Sequence, residues 1–153
     1  MLTVTSEIET ERLGRALAEI VEPGTVIGLI GPLGAGKTRL SRAIAEALEV
    51  DPAAISSPTF VLIHEYDGTL PVYHFDAYRL PSADSFDALG AGDYWNIGGV
   101  CLVEWADRVL DRLPSDSWTA RLELVEDDSR RITIELPNRP DLVARLSERL
   151  NPV

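Results

Sequence analysis

Thr25-Val26-Ile27-Gly28-Leu29-Ile30, running straight into Gly31-Pro32-Leu33-Gly34-Ala35-Gly36-Lys37-Thr38, decides how this chain is read. The second half matches G-x-x-x-x-G-K-[ST], a loop whose backbone N–H groups turn inward onto phosphate oxygens. The glycines permit that curl. Lys37 is spaced to set an ammonium beside the β- and γ-phosphates, and the Thr38 hydroxyl to ligate Mg²⁺. A helix starting at Lys37 would aim the positive end of its dipole at the same phosphates. The motif alone can arise by chance, so its flanks matter. Residues 25–30 are apolar and partly β-branched, suited to a buried parallel strand. Leu40, Ala43, Ile44, Ala47 and Leu48 recur at the spacing of one helical face. Strand, glycine loop and helix thus stand in the required order. The competing readings are a glycine-rich turn and a decayed phosphate loop.

Outward from this core, residues 2–5 read as a short strand. Ser6 with Glu9 forms a capping-box signature for a helix whose buried stripe is Leu13, Ala16, Leu17, Ile20 and Val21. Glu22-Pro23-Gly24 ends it. The loop helix is expected over residues 37–49, broken by Asp51-Pro52. Residues 59–66 and 72–78 read as strands joined through Asp67-Gly68. A short helix is expected over residues 86–89, a loop over 93–99, a buried strand over 100–103 closed by Glu104, and a helix over 106–112 before Pro114. Residues 118–126 and 130–136 alternate as two strands around Asp127-Asp128-Ser129, and residues 141–150 form a closing amphipathic helix. The pattern predicts a single α/β, P-loop NTPase-like domain over residues 1–153, with a mixed, mainly parallel sheet and flanking helices.

Composition narrows the function. The chain has 153 residues, 45% of them hydrophobic and 25% charged, as expected for one soluble domain with a proper core. No long apolar run or signal-peptide pattern is present, and the single cysteine, Cys101, excludes an internal disulfide. A cytoplasmic protein without membrane contact is the expectation. The net charge of −11 argues against a direct grip on a nucleic-acid backbone, which needs a basic patch. An acidic surface suits a protein partner or plain solubility.

A phosphate loop needs an acid to help hold Mg²⁺, normally at the end of a neighbouring buried strand. Glu104, directly after Val100–Val103, has that layout; its alternative is an acid at the start of the next helix. Asp76 lies in His74-Phe75-Asp76-Ala77-Tyr78-Arg79, where alternation puts His74, Asp76 and Tyr78 on one face. Its alternative is a salt bridge to Arg79 or Arg108. His74 itself reads more readily as hydrogen-bonded structure than as a catalyst. Ser57-Pro58-Thr59 reads as a mobile γ-phosphate sensor or as a proline turn. Trp105 reads as packing, or as a shield for the site. Zinc ligation by His64, His74 and Cys101 lacks ligand spacing. Asn138-Arg139-Pro140-Asp141 and Asp87-Ala88-Leu89-Gly90 mimic guanine-nucleotide motifs, but the first departs at Arg139 and Pro140 and the second follows a helical segment.

Taken together, residues 31–38, Ser57-Pro58-Thr59, His74-Phe75-Asp76-x-Tyr78-Arg79 and Leu102-Val103-Glu104-Trp105 resemble, in order and spacing, the TsaE (YjeE) family of bacterial ATPases of tRNA threonylcarbamoyladenosine biosynthesis. The resemblance implies a small mixed α/β P-loop fold that binds ATP and Mg²⁺ and hydrolyses ATP slowly. It implies work beside a TsaB–TsaD assembly that transfers a threonylcarbamoyl group to adenosine 37 of tRNA, with tRNA contacted only indirectly. By the same resemblance Thr38 and Glu104 would contact Mg²⁺, and Gly31, Leu33, Gly34, Ala35, Gly36, Lys37 and Thr38 would wrap the phosphates. Lys37, Asp76 and Glu104 would serve hydrolysis, and Glu7 would lie near the adenine end. Pro32 and Arg39 depart from the family's usual Asp and Thr or Ser. The competing functions are a nucleotide-gated binding module with incidental hydrolysis and a small-molecule kinase, for which no lid or acceptor motif is seen.

Overall fold

The computed structural model describes residues 2–55, 62–127 and 129–151. The expected sensor segment, Ser57-Pro58-Thr59, and the start of the strand read over 59–66 lie outside the described residues.

The phosphate-loop strand, β2 (Val26–Ile30), is buried along its whole length. That is possible because it is central: β5 (Val100–Glu104) pairs with it in parallel on one side and β6 (Trp118–Leu124) on the other. Strands covered on both faces carry continuous apolar runs, as β2 and β5 do. β4 (Val72–Asp76) adds in parallel to β5. Antiparallel partners close both edges: β3 (Ile63–Tyr66) on β4, β7 (Arg130–Glu135) on β6, and β1 (Leu2–Val4) on β7. The order is β1-β7-β6-β2-β5-β4-β3. Four parallel strands therefore form the centre of a mixed sheet, as the sequence predicts.

One face of the sheet carries α1 (Glu7–Ile20), α2 (Lys37–Ala47) and α5 (Pro140–Leu150). The capping box of α1 is formed as read: Ser6 accepts from the Glu9 N–H, and Glu9 accepts from the Ser6 N–H. Leu13, Leu17, Leu40, Ile44, Leu142 and Leu146 are fully buried between the helices and the sheet, each burial contributing on the order of 2 kcal/mol. The apolar face of α2 is rotated slightly from the sequence reading. Ser41 and Ala45 are buried while Ala47 is exposed. The helices α1 and α2 meet at Gly14, where an added Cβ would lie 2.5 Å from the Ala43 methyl. The opposite face is covered by α3 (Ala83–Ala88), α4 (Ala91–Tyr94) and the aromatic set Phe75, Phe86, Tyr94 and Trp95.

Three local expectations are corrected. Residues 106–112 form two short 3₁₀ turns, Ala106–Arg108 and Leu110–Arg112, rather than one helix. Trp105 enters left-handed, Val109 breaks the run at φ −135°, and Leu113 is extended, as the residue before Pro114 must be. The helix expected at residues 86–89 starts earlier, at Ala83, because Ser82 caps it. The loop expected from residue 93 is preceded and overlapped by α4, whose Gly90 and Gly92 read as turn residues in sequence.

Candidate nucleotide-phosphate site

Parallel strands direct their carboxyl ends to one edge, and in open α/β sheets ligands bind there. β2 delivers residues 31–38 to that edge. β5 ends at Glu104, which pairs in register with Leu29 of β2 and Asp76 of β4. Tertiary structure thus brings the loop, Glu104 and Asp76 onto one rim from stretches up to about 70 residues apart.

Within the loop, Gly34 and Gly36 have φ of +79° and +105°, a region that costs other residues strain. Gly36 caps α2 with no side-chain hydrogen bond. Among the described residues no side-chain cap competes for the first-turn amides of α2, the condition an anion needs. Ala35 is fully buried under the loop, so it offers backbone alone, and its N–H is already given to Pro32 O at 3.2 Å. Leu33 projects at the tip and is 82% exposed. The depression lined by the loop, Arg39, Glu104 and Trp105 is about 190 Å³. A larger open cleft of about 740 Å³ lies between α1 and α2, away from Glu104, and its rim ions Arg42 and Glu46 pair with each other.

Lys37 is the chain's only lysine. It is 5% exposed and donates to Gly31 O at 2.6 Å and Pro32 O at 2.8 Å. Its Nζ sits 3.9 Å from the centroid of the Trp105 ring. Burial pulls its pKa below the ordinary lysine value, against the opposing pull of Glu104, Asp107 and Asp76. Those three carboxylates form the electrostatic surroundings of the ammonium. Asp76 and Glu104 are expected from sequence; Asp107, in the turn after Trp105, is not.

Glu104 is 4% exposed. Its Oε1 accepts from Thr38 Oγ1 at 2.8 Å, and its Oε2 lies 2.5 Å from His74 Nε2. Burial alone would raise its pKa, but the bonds from His74 and Thr38 and the charge of Lys37 outweigh it, and the group lies below the ordinary carboxylate value. Glu104 is therefore a buried anion beside the loop threonine. Mg²⁺ holds oxygen ligands at 2.0–2.1 Å in an octahedron, whose adjacent corners are about 2.9 Å apart. Thr38 Oγ1 and Glu104 Oε1, hydrogen-bonded at 2.8 Å, are oxygens of the kind this ion takes, so the donor set fits it. Asp76 is partly exposed, and its Oδ1 accepts from the Tyr78 N–H at 3.0 Å.

Glu7 stands at the loop's outer flank, 2.8 Å from Arg39 and 3.2 Å from Arg130. Arg130 also donates to Gly34 O at 3.2 Å, binding the β6–β7 hairpin to the phosphate loop. Nothing in the sequence singles out Arg130: it follows a turn in a strand with no motif. The two guanine-motif mimics are occupied elsewhere, Arg139 by Glu22 and Asp141, and Asp87 by Arg112. Cys101 is buried and donates to Tyr94 O. Among the described residues no cluster of His, Cys, Asp and Glu could hold a metal by three such ligands, and no helix is long and apolar enough to cross a membrane.

With this geometry in view, comparison with known proteins is informative. The family described as threonylcarbamoyl adenosine biosynthesis protein TsaE matches residues 4–132. The chain is 42% identical over 132 residues to the tRNA threonylcarbamoyladenosine biosynthesis protein TsaE of Bacillus subtilis, covering 86% of this chain and 81% of that one. It is 39% identical over 126 residues to the protein of the same name from Treponema pallidum, covering 82% and 93%. The crystal structure of Bacillus subtilis YdiB superposes with a TM-score of 0.80 at 36% identity, over 98% of this chain and 96% of that one.

Proposed function

The chain belongs to the TsaE family, and from that premise we propose that it binds Mg-ATP in the cradle of residues 31–38 and hydrolyses it slowly. In doing so it serves threonylcarbamoyl transfer to adenosine 37 of tRNA, alongside TsaB- and TsaD-type partners in the cytoplasm. The observation that carries the proposal is the Thr38–Glu104 pair, a loop hydroxyl 2.8 Å from a buried carboxylate oxygen beside a buried lysine.

Bound Mg²⁺ would supply charge neutralisation at the phosphates. The chain's own groups do the rest. Loop amides and the α2 N-terminus bind phosphate oxygens. Lys37 exchanges its bonds to Gly31 O and Pro32 O for phosphate oxygens, keeping its charge inside the cradle. Glu104 and Thr38 would hold the metal, and Asp76, at the end of β4, orients the attacking water and takes its proton. Trp105 excludes solvent from the lysine side. Glu7, tied to Arg130 and Arg39, borders the nucleoside end. The acidic chain leaves tRNA binding to a partner.

Leu33, 82% exposed on the loop that would hold the phosphates, favours a second reading in which the ATP state governs docking and hydrolysis is incidental. Reconstituted tRNA modification with candidate TsaB and TsaD proteins decides between them. Turnover that needs this chain and ATP supports the enzyme. Equal multiple turnover with a non-hydrolysable analogue supports the switch. Modification that proceeds equally without this chain overturns both.

A further inference from the structure

Glu104 is restrained at both of its oxygens, and only one restraint comes from the phosphate loop. The other is His74. It lies on β4 in register with Leu102 of β5, so it is the diagonal neighbour of Glu104 on the same sheet face. His74 is 5% exposed, and the two side chains close to 2.5 Å between Nε2 and Oε2. An ionised carboxylate has acceptors only, so His74 Nε2 carries the hydrogen and donates it. The remaining oxygen, Oε1, is thereby turned to Thr38 Oγ1 at 2.8 Å. Among the described residues only His74 hydrogen-bonds Oε2, and the side chain is too buried for bulk water to take over.

We propose that His74 is a positioning residue for the metal site. It touches neither metal nor nucleotide. Its hydrogen bond fixes the Glu104 carboxylate so that Oε1 stays at the metal position beside Thr38, the task that outer partners of metal ligands perform elsewhere. The inference rests on the Mg²⁺ reading above. His64, the other histidine, lies 6.4 Å away ring to ring and takes no part in the Glu104 bond.

The test uses the full chain with ADP, and Mn²⁺ as the octahedral stand-in for Mg²⁺, reading free Mn²⁺ by electron paramagnetic resonance. His74→Ala is expected to weaken nucleotide-dependent Mn²⁺ binding about 10- to 100-fold, while metal-free ADP affinity stays within about twofold. His74→Gln, whose amide nitrogen reaches the place of Nε2, is expected to recover most of the loss. His74→Asn, whose shorter amide does not, is expected to resemble His74→Ala. If His74→Ala fails to fold, the Gln and Asn variants decide, and equal Mn²⁺ affinity in those two overturns the proposal. An Mn²⁺ affinity unchanged in His74→Ala also overturns it, as does a parallel loss of metal-free ADP binding, which marks general distortion. Absence of nucleotide-dependent Mn²⁺ binding in the unaltered chain overturns the Mg²⁺ reading and this inference together.

Discussion

The ammonium of Lys37 lies 3.9 Å from the centroid of the Trp105 ring, and Trp105 holds that place in a left-handed conformation at φ +58°. A bulky residue in that region is uncommon and persists where the surroundings over-determine it. Here the ring also meets Tyr78 at 4.7 Å, and the next residue, Ala106, is fully buried. The end of β5 thus delivers a buried acid and an aromatic cover for the lysine in two consecutive residues, Glu104 and Trp105. The consequences can be measured.

Lys37 offers the only side-chain amine in the chain. An acylating reagent should modify the terminal amine and, slowly, Lys37. Saturating Mg-ATP should suppress the second product at least tenfold, read by peptide mass spectrometry, since a phosphate-bound ammonium is neither neutral nor accessible. Equal labelling with and without Mg-ATP would count against phosphate contact.

Replacing Gly14 by Ala places a methyl 2.5 Å from the Ala43 Cβ, so α1 and α2 must part. Overpacking of this kind costs about 1–3 kcal/mol, to be read from urea unfolding. Because α2 starts with Lys37 and Thr38, Mg-ATP affinity should fall with it. Unchanged stability would mean the helices tolerate separation.

Arg130→Ala removes the donor to Gly34 O and one partner of Glu7. Both contacts are near the surface, so a loss of about 1 kcal/mol in nucleotide affinity, roughly fivefold, is expected by titration calorimetry. Arg131→Ala, one residue on and 55% exposed, should change little. Equal effects from the two would remove any special role for Arg130.

Acid should act through Glu104. Its folded pKa lies below the ordinary 4.5. The stabilisation is therefore fully present above the unfolded pKa and is lost as pH falls through the folded one. The drop in urea midpoint between about pH 6 and about pH 3 should be smaller in Glu104→Gln than in the unaltered chain. Parallel pH profiles would show that other groups carry the acid sensitivity.

Burial pushes the Cys101 thiol up to about 12. Iodoacetamide at about pH 8 should leave it unmodified in the folded chain and modify it once urea unfolds the protein. Rapid labelling of the native state would contradict the packing of β5.

The phosphate loop was legible because its chemistry is local. Glycines, lysine and threonine must stand at fixed offsets, and the strand and helix beside them follow from periodicity in residues 25–48. Glu104 was legible for a related reason: it ends an apolar run, and such runs are buried strands. The segment after it reads as a helix in sequence because propensity does not register the left-handed Trp105 or the break at Val109. The rotated face of α2 escaped for a similar reason, since Ser41 is buried despite its polarity.

By itself the sequence determined the strand–loop–helix unit, the capping box at Ser6, the α/β class and the acids from which the site is drawn, all features written over a few consecutive residues. Only the tertiary structure decided which groups meet. Parallel pairing of β2, β5 and β4 set Glu104 beside Thr38 and in register with Asp76, put His74 behind Glu104, and let Arg130 reach Gly34 from the far hairpin. Strand order and register fix such meetings, and they depend on how whole faces pack, which no short stretch of chain encodes.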